Sequence, residues 1–114
     1  MTPTAWEQRL DGLATEVLGD DLVLHTARAF NERRRGLAKM EPMPPDHALR
    51  ILRTNSVHTF GMRFALDLVW LGRRGAVLRV DRDVPARRVK LCVRARSVIE
   101  TRAGHGDRFA RALD

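Results

Sequence analysis

Phe64-Ala65-Leu66-Asp67-Leu68-Val69-Trp70-Leu71, then Gly72-Arg73-Arg74-Gly75, then Ala76-Val77-Leu78-Arg79-Val80 is the stretch on which the fold turns. Side chains alternate between the two faces of a strand, and the first run is apolar on both, so it reads as a strand largely buried on each side. Arg73-Arg74-Gly75 closes a hairpin into residues 76–80, with glycine supplying the positive φ of a tight turn. Asp67 interrupts the buried run. A carboxylate there needs donors, and without them its burial costs several kcal/mol.

Outward from this hairpin, residues 89–93 and 97–101 on one side and 48–52 and 57–60 on the other have strand character. Leu22, Leu24 and Thr26 alternate with Val23 and His25, which suits another strand over residues 21–29. The three prolines of Glu41-Pro42-Met43-Pro44-Pro45-Asp46 remove donors and force extended backbone, making this a connector. Parallel pairing needs crossovers of a dozen or more residues, so short strands and turns point to antiparallel pairing. The expected fold is mainly β (α+β): a compact antiparallel barrel or sandwich of six or seven short strands.

Helices belong at the ends and in one short stretch between. Trp6, Leu10, Leu13, Val17 and Leu18 recur every three or four residues with charged residues between, which predicts an amphipathic helix over 4–18 ending at Gly19. Residues 1–20 are then a helix packed on a single β-rich domain, 21–114. Asn31 can cap a short helix with Glu32 at its positive end, stopping near Gly36. Gly104-His105-Gly106 breaks the last strand, and Asp107 opens a final helical turn or two carrying Phe109, Ala112 and Leu113.

The chain has 114 residues, 44% hydrophobic and 31% charged, which suits one globular domain and excludes a disordered chain. Glu7, Gln8 and Arg9 interrupt the place where a secretory signal would be apolar, and no run approaches the roughly 20 apolar residues that span a bilayer, so the cytoplasm is the expected compartment. Cys92 is the one cysteine, which rules out an internal disulfide and a cysteine zinc cluster. The net charge of +7 is carried by arginine, the lysines being Lys39 and Lys90. Guanidinium groups favour planar contacts with phosphate or carboxylate, yet such a charge balance speaks first of solubility.

Three segments carry a resemblance: Glu32-Arg33-Arg34-Arg35-Gly36-Leu37; Ser56-Val57-His58-Thr59-Phe60-Gly61-Met62-Arg63-Phe64 leading to Asp67; and Val98-Ile99-Glu100 followed by Ala103-Gly104. In order and spacing the chain resembles the uncharacterised domain of unknown function 192 family over about residues 22–104. The resemblance implies a small, mostly β domain found in bacteria and archaea, with one or two helices and no assigned activity. The chain departs from the family pattern at Ala65, where proline is usual, and at Thr54, where many members have cysteine.

Candidate sites follow from these segments. On an extended 57–62, His58, Phe60 and Met62 share a face unless Gly61 bulges the strand and re-aims Met62. Imidazole and thioether together suit a soft ion such as Cu(I), but two ligands seldom suffice, so no metal or other cofactor is expected. Donors for Asp67 are to be sought in His58, Arg63, Arg35 or loop amides. A polar groove around His58, Asp67, Arg35, Glu100 and Met62, with no nucleophile in a strained turn, points to a non-catalytic binding or accessory module. Its ligand would be a small polar or anionic molecule or a protein segment.

Two alternatives stand beside this reading. Arg33, Arg34, Arg73, Arg74, Arg87 and Arg88 can line a phosphate-binding, nucleic-acid-binding surface, although the aromatic residues sit among apolar neighbours rather than as stacking platforms. His58 as base with Asp67 fixing its tautomer would make a small acid/base enzyme. The N-terminal helix has Glu7, Asp11 and Glu16 against Arg9, which favours packing onto the domain, or onto a second copy as a homodimer, over an anionic membrane.

Overall fold

The computed structural model describes residues 5–29, 33, 37–38 and 40–113. Among the described residues, helices α1 (Trp6–Leu10) and α2 (Gly106–Leu113) flank eight strands: β1 (Ala14–Val17), β2 (Val23–Ala27), β3 (His47–Leu52), β4 (Ser56–His58), β5 (Leu66–Leu71), β6 (Val77–Val84), β7 (Val89–Leu91) and β8 (Ser97–Arg102). Six strands form one sheet in the order β1-β2-β3-β8-β5-β6, and β4 pairs with β7 in a second, small sheet. The fold is mainly β, as the alternation predicts. It is an open mixed sheet and not a closed barrel.

Among the described residues, the one parallel pair in the main sheet is β2 with β3. Residues 28–46 lie between these strands, long enough for the crossover that parallel pairing needs. The Pro-rich connector thus ends a crossover, which corrects the all-antiparallel expectation. The helix expected over 4–18 is also shorter: it ends at Leu10, Gly12 takes φ 81, and Ala14–Val17 pairs antiparallel with β2 as an edge strand. Thr15 and Val17 are β-branched and suit that edge better than a helix interior. The short helix expected at Asn31 and Glu32, with Gly36 as its stop, lies outside the described residues.

β5 is buried at all six positions, and its alternation sorts the core into two layers. Leu66, Leu68 and Trp70 join Leu49, Ile51 and Val98, covered by Leu10 of α1, by Leu37, Met40 and Met43 of the crossover, and by Val57 and Cys92 of the small-sheet region. Val69 and Leu71 join Leu22, Leu24, Ala48 and Ile99 beneath Phe109 and Ala110 of α2. Trp70 is wholly buried, and its indole N–H donates to Asp81 Oδ2 at 2.9 Å.

Two side-chain clusters brace the sheet. On the first layer, His25 Nε2 and His47 Nδ1 lie 2.9 Å apart, Thr15 Oγ1 is 3.3 Å from His25 Nδ1, and Trp6 lies 4.7 Å from the His47 ring. On the second, Arg50 Nη2 donates to Glu16 Oε1 at 2.9 Å and to Thr26 Oγ1 at 3.1 Å, linking three neighbouring strands. Among the described residues, no helix is long and apolar enough to cross a membrane.

Candidate functional site

Glu100 sits at the centre of β8, opposite Leu49 of β3 and Leu68 of β5, and so faces the first core layer. It is 4% exposed. The Leu37 backbone amide donates to its carboxylate, while among the described residues Oε1 is buried without a hydrogen-bond partner. Burial pushes the carboxyl up to about 7, and the Leu37 amide opposes this only in part. A buried acceptor left unpaired costs on the order of 1–3 kcal/mol. An orphaned oxygen of this kind calls for a ligand or solvent donor.

Beside Glu100 lies a cavity of about 220 Å³, walled by Leu37, Ile51, Val57 and Met62, with Thr54, Ser56 and His58 adding polar groups. Arg33 also lines it, its Nη1 lying 3.5 Å from the Leu52 and Arg53 carbonyl oxygens. β4 places His58 at the exposed rim, where its ring tilts against Phe60 at 5.9 Å. The chain then turns back: the Met62 amide donates to the Thr59 carbonyl at 3.2 Å across Gly61, whose φ of 83 is the positive value such a turn needs at its third position. This reversal sends Met62 into the cavity wall. Thr59 fixes the turn, its hydroxyl donating to Pro85 O at 2.7 Å and accepting from the Arg88 amide at 2.8 Å.

Three of the five residues expected in the polar groove, His58, Met62 and Glu100, therefore line one cavity. Arg35 lies outside the described residues. Asp67 is on the opposite face of the sheet. As the neighbour of Leu66 and Leu68 it alternates away from the Glu100 layer and looks toward α2. Its Oδ1 accepts from the Asp83 amide at 2.8 Å, and its Oδ2 from the amides of Gly104 at 3.1 Å and Gly106 at 2.9 Å. Of the donors proposed for Asp67, loop amides are in place, while Arg35 lies outside the described residues. His58 and Asp67 form no dyad, because strand alternation separates them.

Asp67 instead ties together two irregular segments. β6 slips register against β5 between Leu66 and Leu68, with Asp83 at φ 56, so the carboxylate closes a bulge. Its other oxygen holds the turn from β8 into α2. A Cβ on Gly106 would stand 2.7 Å from the Asp67 Cβ, which explains glycine there.

The arginines gather differently from their runs in sequence. Arg73–Arg74 and Arg87–Arg88 lie in turns at opposite ends of β6. Arg73 and Arg74 join Arg53 and Arg96, with Thr54 and Asn55, around a hollow of about 500 Å³. An adjoining hollow of about 640 Å³ shares Arg73 and Arg96 and adds Arg94. Arg34 lies outside the described residues. Sequence alone does not single out Arg53, Arg94 and Arg96, because each stands apart from the double-arginine runs; the Arg94-Ala95-Arg96 alternation is the signal it carries. Among the described residues, no group of three His, Cys, Asp or Glu side chains is placed to hold a metal ion.

Residues 13–110 match the model of the DUF192 family, described as Uncharacterized ACR. No curated protein matches the sequence. Two solved structures share the fold. A protein of unknown function from Novosphingobium aromaticivorans has a TM-score of 0.68 at 15% identity, over 87% of this chain and 88% of that one. A Sinorhizobium meliloti protein named a "putative transcription regulator" has a TM-score of 0.72 at 17% identity, over 85% and 87%. At these identities the likeness concerns the fold alone.

Proposed function

Because the chain belongs to the uncharacterised DUF192 family, which brings no activity with it, we propose a function from its own residues: a non-catalytic binding module. Its cavity takes a small polar group that donates a hydrogen bond to Glu100. The observation that supports this is Glu100 Oε1, a buried acceptor at a cavity, without a partner among the described residues. Leu37, Ile51, Val57 and Met62 would receive the apolar part of the ligand, and Ser56 and His58 would meet its outer end. At about 220 Å³ the cavity is below the usual 300–1,000 Å³ of small-molecule pockets, so the bound group is a small molecule or one side chain of a protein segment.

Methylammonium is a suitable probe, being a small donor of hydrogen bonds. Titrated into the labelled protein, it is expected to shift the backbone amide resonances of Thr54, Ser56, His58, Met62 and Glu100 saturably, and to lose that effect in Glu100→Leu. Shifts scattered over the surface, or unchanged in the variant, would refute the reading.

A second reading, acid/base chemistry by Glu100 with His58 at the rim, is favoured by a carboxyl standing near 7, where proton transfer in both directions is accessible. It differs from pure binding in predicting turnover that follows one ionisation near that pH and vanishes in Glu100→Gln.

A further inference from the structure

We propose that the arginine-lined cleft formed by the β3–β4, β5–β6 and β7–β8 connections binds a compact polyanion of the diphosphate class. The three connections are tied to one another through their backbones. The Thr54 amide donates to Arg96 O at 3.1 Å, the Arg96 amide to Leu71 O at 2.7 Å, and the Cys92 amide to Asn55 O at 2.9 Å. The arginines therefore stand on a fixed rim, where Arg53 Nη2 also donates to Arg28 O at 3.3 Å. Arg53, Arg73, Arg74 and Arg96 line the main hollow, and Arg94 the adjoining one.

Charge makes this hollow unlike the rest of the surface. Among the described residues, the arginine–carboxylate pairs are Arg50–Glu16, Arg79–Asp81, Arg82–Asp107 and Arg108–Asp46, and none uses a cleft arginine. Among the described residues no carboxylate lines either hollow. Guanidinium groups stay charged at any pH the fold survives, so a concave wall of them focuses positive potential on its interior. Arg53 and Arg74 also hold left-handed backbone, φ 54 and 63, which is uncommon for residues other than glycine.

The ligand class follows from the lining. Guanidinium forks match the oxygens of phosphate, and several forks around one hollow suit a ligand with more than one negative charge. A volume of about 500 Å³ is within the range for small molecules. Among the described residues no aromatic side chain lines the cleft, so a splayed nucleobase would find no stacking partner there, and recognition falls on the phosphates of a small molecule rather than on a nucleic-acid strand. Among the described residues the cleft and the Glu100 cavity share Thr54 alone, so the two readings stand or fall separately.

Calorimetric titration with inorganic pyrophosphate at low salt tests this, using Arg73→Gln/Arg96→Gln against the control Arg87→Gln/Arg88→Gln. All four side chains are exposed, so both variants should fold, and circular dichroism checks that they do. The expected result is one pyrophosphate per chain, with Kd raised roughly tenfold or more in the cleft variant and nearly unchanged in the control. Absence of binding, or equal weakening in both variants, would overturn the proposal. So would a DNA duplex that binds more tightly through Arg73 and Arg96 than pyrophosphate does, since the occupant would then be nucleic acid.

Discussion

Replacing Asp67 by asparagine removes the charge from a buried group that receives three backbone amides while hardly changing its shape. In the native protein, Oδ2 accepts from Gly104 and Gly106, and Oδ1 from Asp83. Asparagine keeps one acceptor oxygen, which can serve the Gly104–Gly106 pair, but its amide group then confronts the Asp83 N–H donor to donor. One charge-assisted bond is lost and two are weakened to neutral ones, a cost of about 2–3 kcal/mol. Asp67→Ala strands all three amides and should cost about 4–6 kcal/mol, a large share of the 5–15 kcal/mol that stabilises a typical domain. Equilibrium urea unfolding followed by tryptophan fluorescence measures both, with the order wild type, Asn, Ala in falling midpoint. Hydrogen exchange should also speed up at the Asp83, Gly104 and Gly106 amides. An asparagine variant within about 0.5 kcal/mol of wild type, in the range of neutral surface changes, would refute the staple. Methylammonium binding that Asp67→Asn abolished in a folded protein would return Asp67 to the ligand site.

Further outcomes follow from the other buried groups. Glu100 has a folded pKa raised to about 7 against 4.5, so the folded state binds the extra proton; its contribution to stability is full below about pH 4.5 and falls, by about 3 kcal/mol in total, as pH rises through 7. Glu100→Leu should abolish that slope in urea unfolding and raise stability at pH 8, while removing the binding site. His25 and His47 are both held below the ordinary histidine range, chiefly by burial, with the His47 charge adding to the effect on His25 and Asp46 opposing it at His47. The unfolded chain takes up these protons first, so stability should fall as pH drops below about 6.5, and His25→Gln/His47→Gln should flatten this limb in the same assay. Gly106→Ala drives a methyl group against the Asp67 Cβ at 2.7 Å and should cost about 1–3 kcal/mol by urea unfolding; a neutral effect would mean that α2 shifts freely.

Sequence and structure agree most closely where local chemistry is strong. The doubly apolar run from Phe64 to Leu71 and the Arg73-Arg74-Gly75 turn dictate a buried strand and a hairpin, and both are present, the strand over Leu66–Leu71. Sequence reasoning failed where tertiary pairing overrode period. Trp6 to Leu18 reads as one helical stripe, but β2 offers an open edge, and Ala14–Val17 satisfies its backbone there instead. The crossover hid in residues 28–46 because the Pro-rich segment looked like a plain linker, although it buries Met40 and Met43. Of the candidate site, sequence groups Glu100, His58 and Met62, which line one cavity, with Asp67, which lies on the other face: period-two alternation fixes relative orientation along β5 and β8, but not which face meets β4. Leu37, whose amide meets Glu100, carries no chemical signal in its side chain.

The central claim is that Glu100 is an unsatisfied buried carboxyl open to a donor ligand, and the titration of its side-chain carboxyl carbon by ¹³C NMR, with and without methylammonium, tests it most directly. The account predicts a midpoint near 7 for the free protein, moving down when the ammonium donates to the ionised form. A midpoint in the ordinary carboxylate range, unmoved by the probe, would contradict it.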